Sequence, residues 1–94
     1  MKTEKFKIKR LLEGDTFYSY NGDLNHVVHI FSDNDDDIVV YKHWSNCRGW
    51  MYEADYLVMV LYRICLLYDN LSDKNKSIEL RKELFILNDV EYNF

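Results

Sequence analysis

The chain predicts an α+β fold, a curled antiparallel sheet of four or five strands followed by two C-terminal helices. Three observations carry that prediction. Aromatic and β-branched runs alternate with polar turn clusters across residues 5–54. The pattern changes at Asp55, after which twelve of the thirteen residues from Tyr56 to Tyr68 are apolar, Arg63 alone excepted. Further on, Leu80, Leu84 and Leu87 recur at helical spacing opposite Glu79, Arg81, Lys82 and Glu83. A length of 94 residues implies one domain, with a β-meander over 5–54 and a helical part over 55–88.

Each element has its own warrant. Lys5 to Arg10 alternates Phe6 and Ile8 with lysines, the pattern of a short edge strand whose charges discourage unwanted pairing. Gly14-Asp15 is a turn signal, and Thr16 to Tyr20 is aromatic and β-prone. Asn21-Gly22 is a strong hairpin dipeptide, because both residues tolerate positive φ. Asn25 to Ser32 then returns, with Val28 and Ile30 on one face and Val27, His29 and Phe31 on the other. Asp33 to Asp37 forms a polar turn, and Ile38 to Trp44 is the strand richest in β-branched and aromatic residues. Ser45 to Gly49 is a loop, and Trp50 to Glu53 a fourth strand.

Tyr56 to Tyr68 reads as a helix of about 13 residues by its length and lack of breakers; a long buried strand is the alternative, since Val58 and Val60 suit it. A helix with one solvated face carries polar residues over much of its circumference, so this one must be covered nearly all round. Its lid is the sheet, the second helix over Lys76 to Asn88, or another molecule, including a second copy in a homo-oligomer. Arg63 marks its one wet stripe, and Arg63→Ala should then cost little.

Charge and composition narrow the function classes. The net charge is −4, which argues against a non-specific grip on nucleic acid, since that rests on phosphate neutralisation by Lys and Arg. Residues 13–37 carry seven acids and no Lys or Arg, behind a basic leader. The apolar run is too short to span a bilayer, which takes about 20 residues, and no membrane association is expected. Met1 is followed by charged residues without a long apolar stretch, so no signal peptide is expected. Cys47 and Cys65 form no paired motif, and a reducing cytoplasm with free thiols is the simplest setting. The chain has no proline and few glycines against many Lys, Asn, Asp, Ile and Tyr, a bias resembling AT-rich coding sequences of phages and low-GC bacteria.

Candidate chemistry is sparse. His26 and His29 are three apart, and on a regular strand they face opposite ways and cannot share an ion without a bulge. Asp33, Asp35 and Asp37 match the first ligands of a calcium loop, but Ile38 replaces its glycine and Trp44 its glutamate. No nucleophile elbow, phosphate-binding glycine loop or dinucleotide fingerprint occurs, so neither catalysis nor a cofactor is expected. What remains is aromatic. Tyr18, Tyr20, Phe31, Tyr41, Trp44, Trp50 and Tyr52 fall on adjacent strands, with His43 and Arg48 among them. Trp, Tyr and Arg are the residues enriched in protein hot spots. Strand alternation puts Tyr41 and His43 on one face and Trp44 on the other, so not all line one site.

Gly14 to Gly22, Val27-Val28-His29-Ile30, Ile38 to Lys42 and the following Trp50 together resemble a family of short bacterial domains of unknown function. These combine a glycine-opened aromatic segment, a Val-Val-Tyr strand and a later tryptophan in a small β-domain similar to an SH3-like barrel. The match covers about residues 14–56. The family's His-Ser-Glu-Thr turn is here Phe31-Ser32-Asp33-Asn34, and its Arg-Pro after the tryptophan is Met51-Tyr52. The resemblance implies a curled β-meander and carries no activity.

The expected function is therefore non-catalytic binding of a protein partner, in a small phage-type protein that inhibits or modulates a host protein. Its binding residues are expected among Tyr18, Tyr20, Tyr41, His43, Trp44, Arg48, Trp50 and Tyr52. The alternatives are sequestration of a nucleotide or small ligand by Arg48 and the aromatic rings, and a structural homo-oligomer closed over the 56–68 helix.

Overall fold

A computed structural model describes residues 8–92. Strands β1 (Thr16–Tyr18), β2 (Leu24–Asp33), β3 (Asp36–Ser45) and β4 (Gly49–Tyr56) precede helices α1 (Leu57–Tyr68) and α2 (Lys74–Leu87). The strands pair antiparallel in the order β1-β2-β3-β4, a meander with β1 and β4 at its edges. The sheet is curled but not closed, so the α+β class holds while the barrel stays open.

Of the expected leader strand, Lys5–Lys7 lie outside the described residues, and Ile8–Arg10 are irregular. The leader is instead tied to the end of α2. The Leu11 N–H donates to Asn88 Oδ1 at 2.9 Å, and Asn88 Nδ2 donates to the Lys9 carbonyl at 3.2 Å and to the Leu84 carbonyl at 2.9 Å. One buried amide thus serves both chain ends.

Turn chemistry sets the strand lengths. Asn34 and Asp35 hold φ of 51° and 71°, so a two-residue turn with both centres left-handed joins β2 to β3. The acidic run is therefore split. Asp33 pairs with Asp36 and Ser32 with Asp37 as the last rungs of the ladder, rather than all five forming a loop. Around Asn21-Gly22 the connection is longer than a two-residue hairpin. The Ser19 N–H donates to the Asp23 carbonyl and the Gly22 N–H to the Ser19 carbonyl, which ends β1 at Tyr18.

β2 carries a bulge. His26 pairs with Lys42 and Val27 with Tyr41, but His29 pairs with Val40, leaving Val28 as the extra residue. The bulge reverses the alternation expected of this strand. Val27 and Ile30 face the helices, while His29 and Phe31 turn to the other side, where Val28 is also exposed. It also brings His26 and His29 onto the same face of the sheet.

α1 follows β4 without a loop, with Tyr56 as an N-cap that makes no side-chain capping bond. It lies across β3 and β4, and α2 packs against it. Leu57, Val60, Leu61, Ile64, Cys65, Leu67 and Tyr68 are buried, and only Met59 and Leu66 stay exposed on the helix. The apolar run is thus shut in by its own sheet and its own second helix. Asp73 caps α2 by accepting from the Lys76 N–H at 3.1 Å, which starts that helix at Lys74. Ser77, Leu80, Leu84 and Phe85 form its buried side, and Leu87 is exposed, because the inward stripe turns to Phe85. The Phe85 ring meets Tyr62 at 5.0 Å and Tyr92 at 4.9 Å, both edge-on.

The two cysteines differ in environment. Cys47 is exposed, and burial pushes the Cys65 thiol up to about 11. Under native conditions at pH 8 an alkylating reagent is expected to modify Cys47 alone, with Cys65 reacting only after denaturation. Peptide mass spectrometry after a timed quench reads this directly.

Candidate functional site

The register sorts the strand side chains into two sets. Toward α1 point Asn25, Val27 and Ile30 of β2, Val39, Tyr41 and His43 of β3, and Met51, Glu53 and Asp55 of β4. Away from it point His26, His29, Phe31, Ile38, Val40, Lys42, Trp44, Trp50, Tyr52, Ala54 and Tyr56. Among the described residues no element covers this second side, and the thickness is only 19 Å, the depth of one sheet and one helical layer. Trp44 is 59% exposed, Trp50 44%, Tyr52 60% and Tyr56 51%. Scattered apolar residues are ordinary on a surface, and a contiguous aromatic face makes this side the candidate site.

The rings are ordered among themselves. Trp44 and Trp50 are cross-strand partners flanking the β3–β4 turn and meet edge-to-face at 5.4 Å. His26 meets Trp50 at 5.5 Å in the same manner. Lys42 lies between His26 and Tyr52 in register, its Nζ 4.4 Å from the Trp50 ring centre and 5.8 Å from that of Tyr52. Toward the other end Ile38, Ala54 and Tyr56, with Asp55, line a shallow depression of about 200 Å³.

The expected binding residues therefore divide. Trp44, Trp50 and Tyr52 share the open face, and Arg48 is exposed in the turn between the two tryptophans. Tyr20 is exposed in the β1–β2 connection, and Tyr18 is half-buried against the core. Tyr41 is buried on the helix side with its ring edge-on to Phe17 at 5.3 Å. His43 is on that side too, its Nδ1 3.6 Å from Glu53 Oε2, too far for a hydrogen bond. Lys42, His26 and Tyr56 join the open face although none was among the expected binding residues. Their signal was present in the strand alternation around Trp44 and Trp50, but the role of His26 also depends on strand pairing.

On the helix side a second cleft of about 310 Å³, lined by Tyr41, His43 and Glu53 of the sheet and by Arg63 of α1, opens at the surface. Arg63 is half-exposed, as a wet stripe would be, but it is also tied to the sheet. It donates from Nη1 to the Tyr41 hydroxyl at 2.8 Å and from Nη2 to Asp55 Oδ2 at 2.6 Å, joining α1 to β3 and β4. Burial pushes the Tyr41 hydroxyl above its usual range, reinforced by the Glu53 carboxylate and opposed by the Arg63 guanidinium, so Tyr41 stays neutral and accepts the Arg63 bond. Arg63→Ala is expected to cost about 1 kcal/mol, as it leaves the Asp55 carboxylate and the tyrosine without their donor at a half-exposed site. Denaturant titration beside Arg63→Lys measures it.

Among the described residues no three His, Cys, Asp or Glu side chains gather to hold a metal ion. His26 and His29 share a face, but His29 Nδ1 is engaged by Glu13 Oε2 at 2.5 Å. No helix among the described residues is long and apolar enough to cross a membrane. In fold and surface, this is a two-layer α+β domain with a bare aromatic sheet. Compared with profiles of known protein families, with curated proteins and with solved structures, the chain finds no match in any of the three.

Proposed function

We propose that this chain is a non-catalytic binding domain that docks a protein partner on the open face of its sheet. The observation that supports the reading is the exposure of Trp44, Trp50, Tyr52 and Tyr56 on one uncovered side. Tryptophan and tyrosine bring large rigid contact area at low entropic cost, and they dominate interface energetics. The apolar helix plays a supporting part. It holds the sheet from behind, and its own exposed remainder is Met59 and Leu66. The composition suits a small phage-type protein acting on a host protein, with the bound face inhibiting or modulating its target by occupying a surface.

The test is partner capture from a host lysate by the immobilised chain, repeated with Trp44→Ala and Trp50→Ala together. Specific capture that the folded double variant loses is the expected result. A partner retained in full by that variant would place docking elsewhere.

A further inference from the structure

The open face is apolar, yet its centre carries a charge. Lys42 stands on the inner strand β3, flanked in register by His26 on β2 and Tyr52 on β4. Its ammonium lies across Trp50 and Tyr52, and among the described residues it has no ion-pair partner. The carboxylates of β4 are all on the other side of the sheet. Asp55 is bound by Arg63 and Glu53 stands by His43. Among the described residues, acids on the open side occur only at the rim, as Glu13 beside His29 and as the Asp33–Asp36 pair at the hairpin tip. A chain with net charge −4 thus has an open face whose centre is free of carboxylates.

Anything that covers Trp50 and Tyr52 also covers Lys42. Burying an ammonium group without a counter-charge is expensive, so the covering surface has to bring one. A second copy does not. A two-fold face-to-face pairing with its axis at Lys42 sets Lys42 against Lys42 and leaves the acids of both copies at the rim. A nucleic-acid strand would bring phosphates, but Lys42 and Arg48 together neutralise few of them, and the acidic hairpin tip repels the rest. Resting on the proposed docking function, we infer that the face takes an apolar protein segment bearing a carboxylate that meets Lys42. A second copy of this chain does not fill the face.

Trp44 and Trp50 are the only tryptophans in the chain, so intrinsic fluorescence reports on this face alone. The probes are three acetylated, amidated peptides of equal length that alternate leucine with glutamate, with glutamine or with lysine, and an oligothymidylate. The glutamate peptide is expected to shift the emission, to bind at least about ten-fold more tightly than the other two, and to weaken with added salt. Lys42→Glu should lose that preference and favour the lysine peptide, while Lys42→Arg keeps it. Equal binding of all three peptides, a preference for the lysine peptide, a response to oligothymidylate alone, or no response to any peptide would overturn the inference. So would a dimer in light scattering that Trp44→Ala with Trp50→Ala dissociates, since a second copy would then fill the face. Equal binding that calorimetry finds abolished by Trp44→Ala with Trp50→Ala would refute only the charge requirement and leave docking on this face standing.

Discussion

Leu61→Ala is expected to lower the unfolding free energy by about 2–5 kcal/mol, with no change in the denaturant slope. Leu61 is fully buried on α1, between the sheet and α2. Removing its branched end opens a cavity that the surrounding Val60, Ile64 and Leu84 side chains, themselves buried, have little freedom to fill. Leu66→Ala on the same helix is the control. Leu66 is 44% exposed, and its truncation should stay within about 0.5 kcal/mol. A large gap between the two variants means that the apolar helix is enclosed by its own chain and owes nothing to a partner. Similar large costs at both positions, dependent on protein concentration, would mean that a second molecule completes the cover.

Trp44→Ala and Trp50→Ala are each expected to weaken partner binding by about 2 kcal/mol or more, roughly thirty-fold in Kd, and the pair to abolish it in practice. The same changes should leave the circular dichroism spectrum intact. Both rings are already exposed, so their folding contribution is mainly the edge-to-face contact between them, about 0.5–1.5 kcal/mol. This separation of binding from stability distinguishes a docking face from a core face. Tyr41→Ala should show the opposite balance, because Tyr41 is buried against Phe17 and holds Arg63.

Much of this architecture was legible in the residues. The change of pattern at Asp55 falls at the junction where β4 runs into α1, and the polar clusters at Asn21-Gly22, Asp33–Asp37 and Ser45–Gly49 each contain a strand connection, though Asp33, Asp36 and Asp37 belong to the strands and only Asn34-Asp35 make the second turn. Alternation alone set Tyr41 and His43 opposite Trp44. It did not tell which face the helices would choose, because aromatic residues populate both. Helix α1 took the side of Val27, Val39 and Tyr41, and the tryptophans stayed outside. The bulge at Val28 was also invisible, since an extra residue in a ladder is a property of pairing rather than of one strand. Arg63 looked like a solvent-facing break in an apolar run. Its partners Asp55 and Tyr41 lie on two other elements, and only the fold brings them within reach. Phe85 replaced Leu87 in the core for a related reason, as the face that α2 turns to α1 centres on Leu80, Leu84 and Phe85, whose ring meets Tyr62.

Acrylamide quenching of the tryptophan emission, recorded for the isolated chain over a range of protein concentrations, examines the bare sheet itself. With both tryptophans on an uncovered face, quenching should be efficient, uniform for the two rings and independent of concentration, and a bound partner should protect them. Tryptophans shielded from acrylamide in the isolated monomer would mean that the sheet is covered from within, and the docking face described here would not exist.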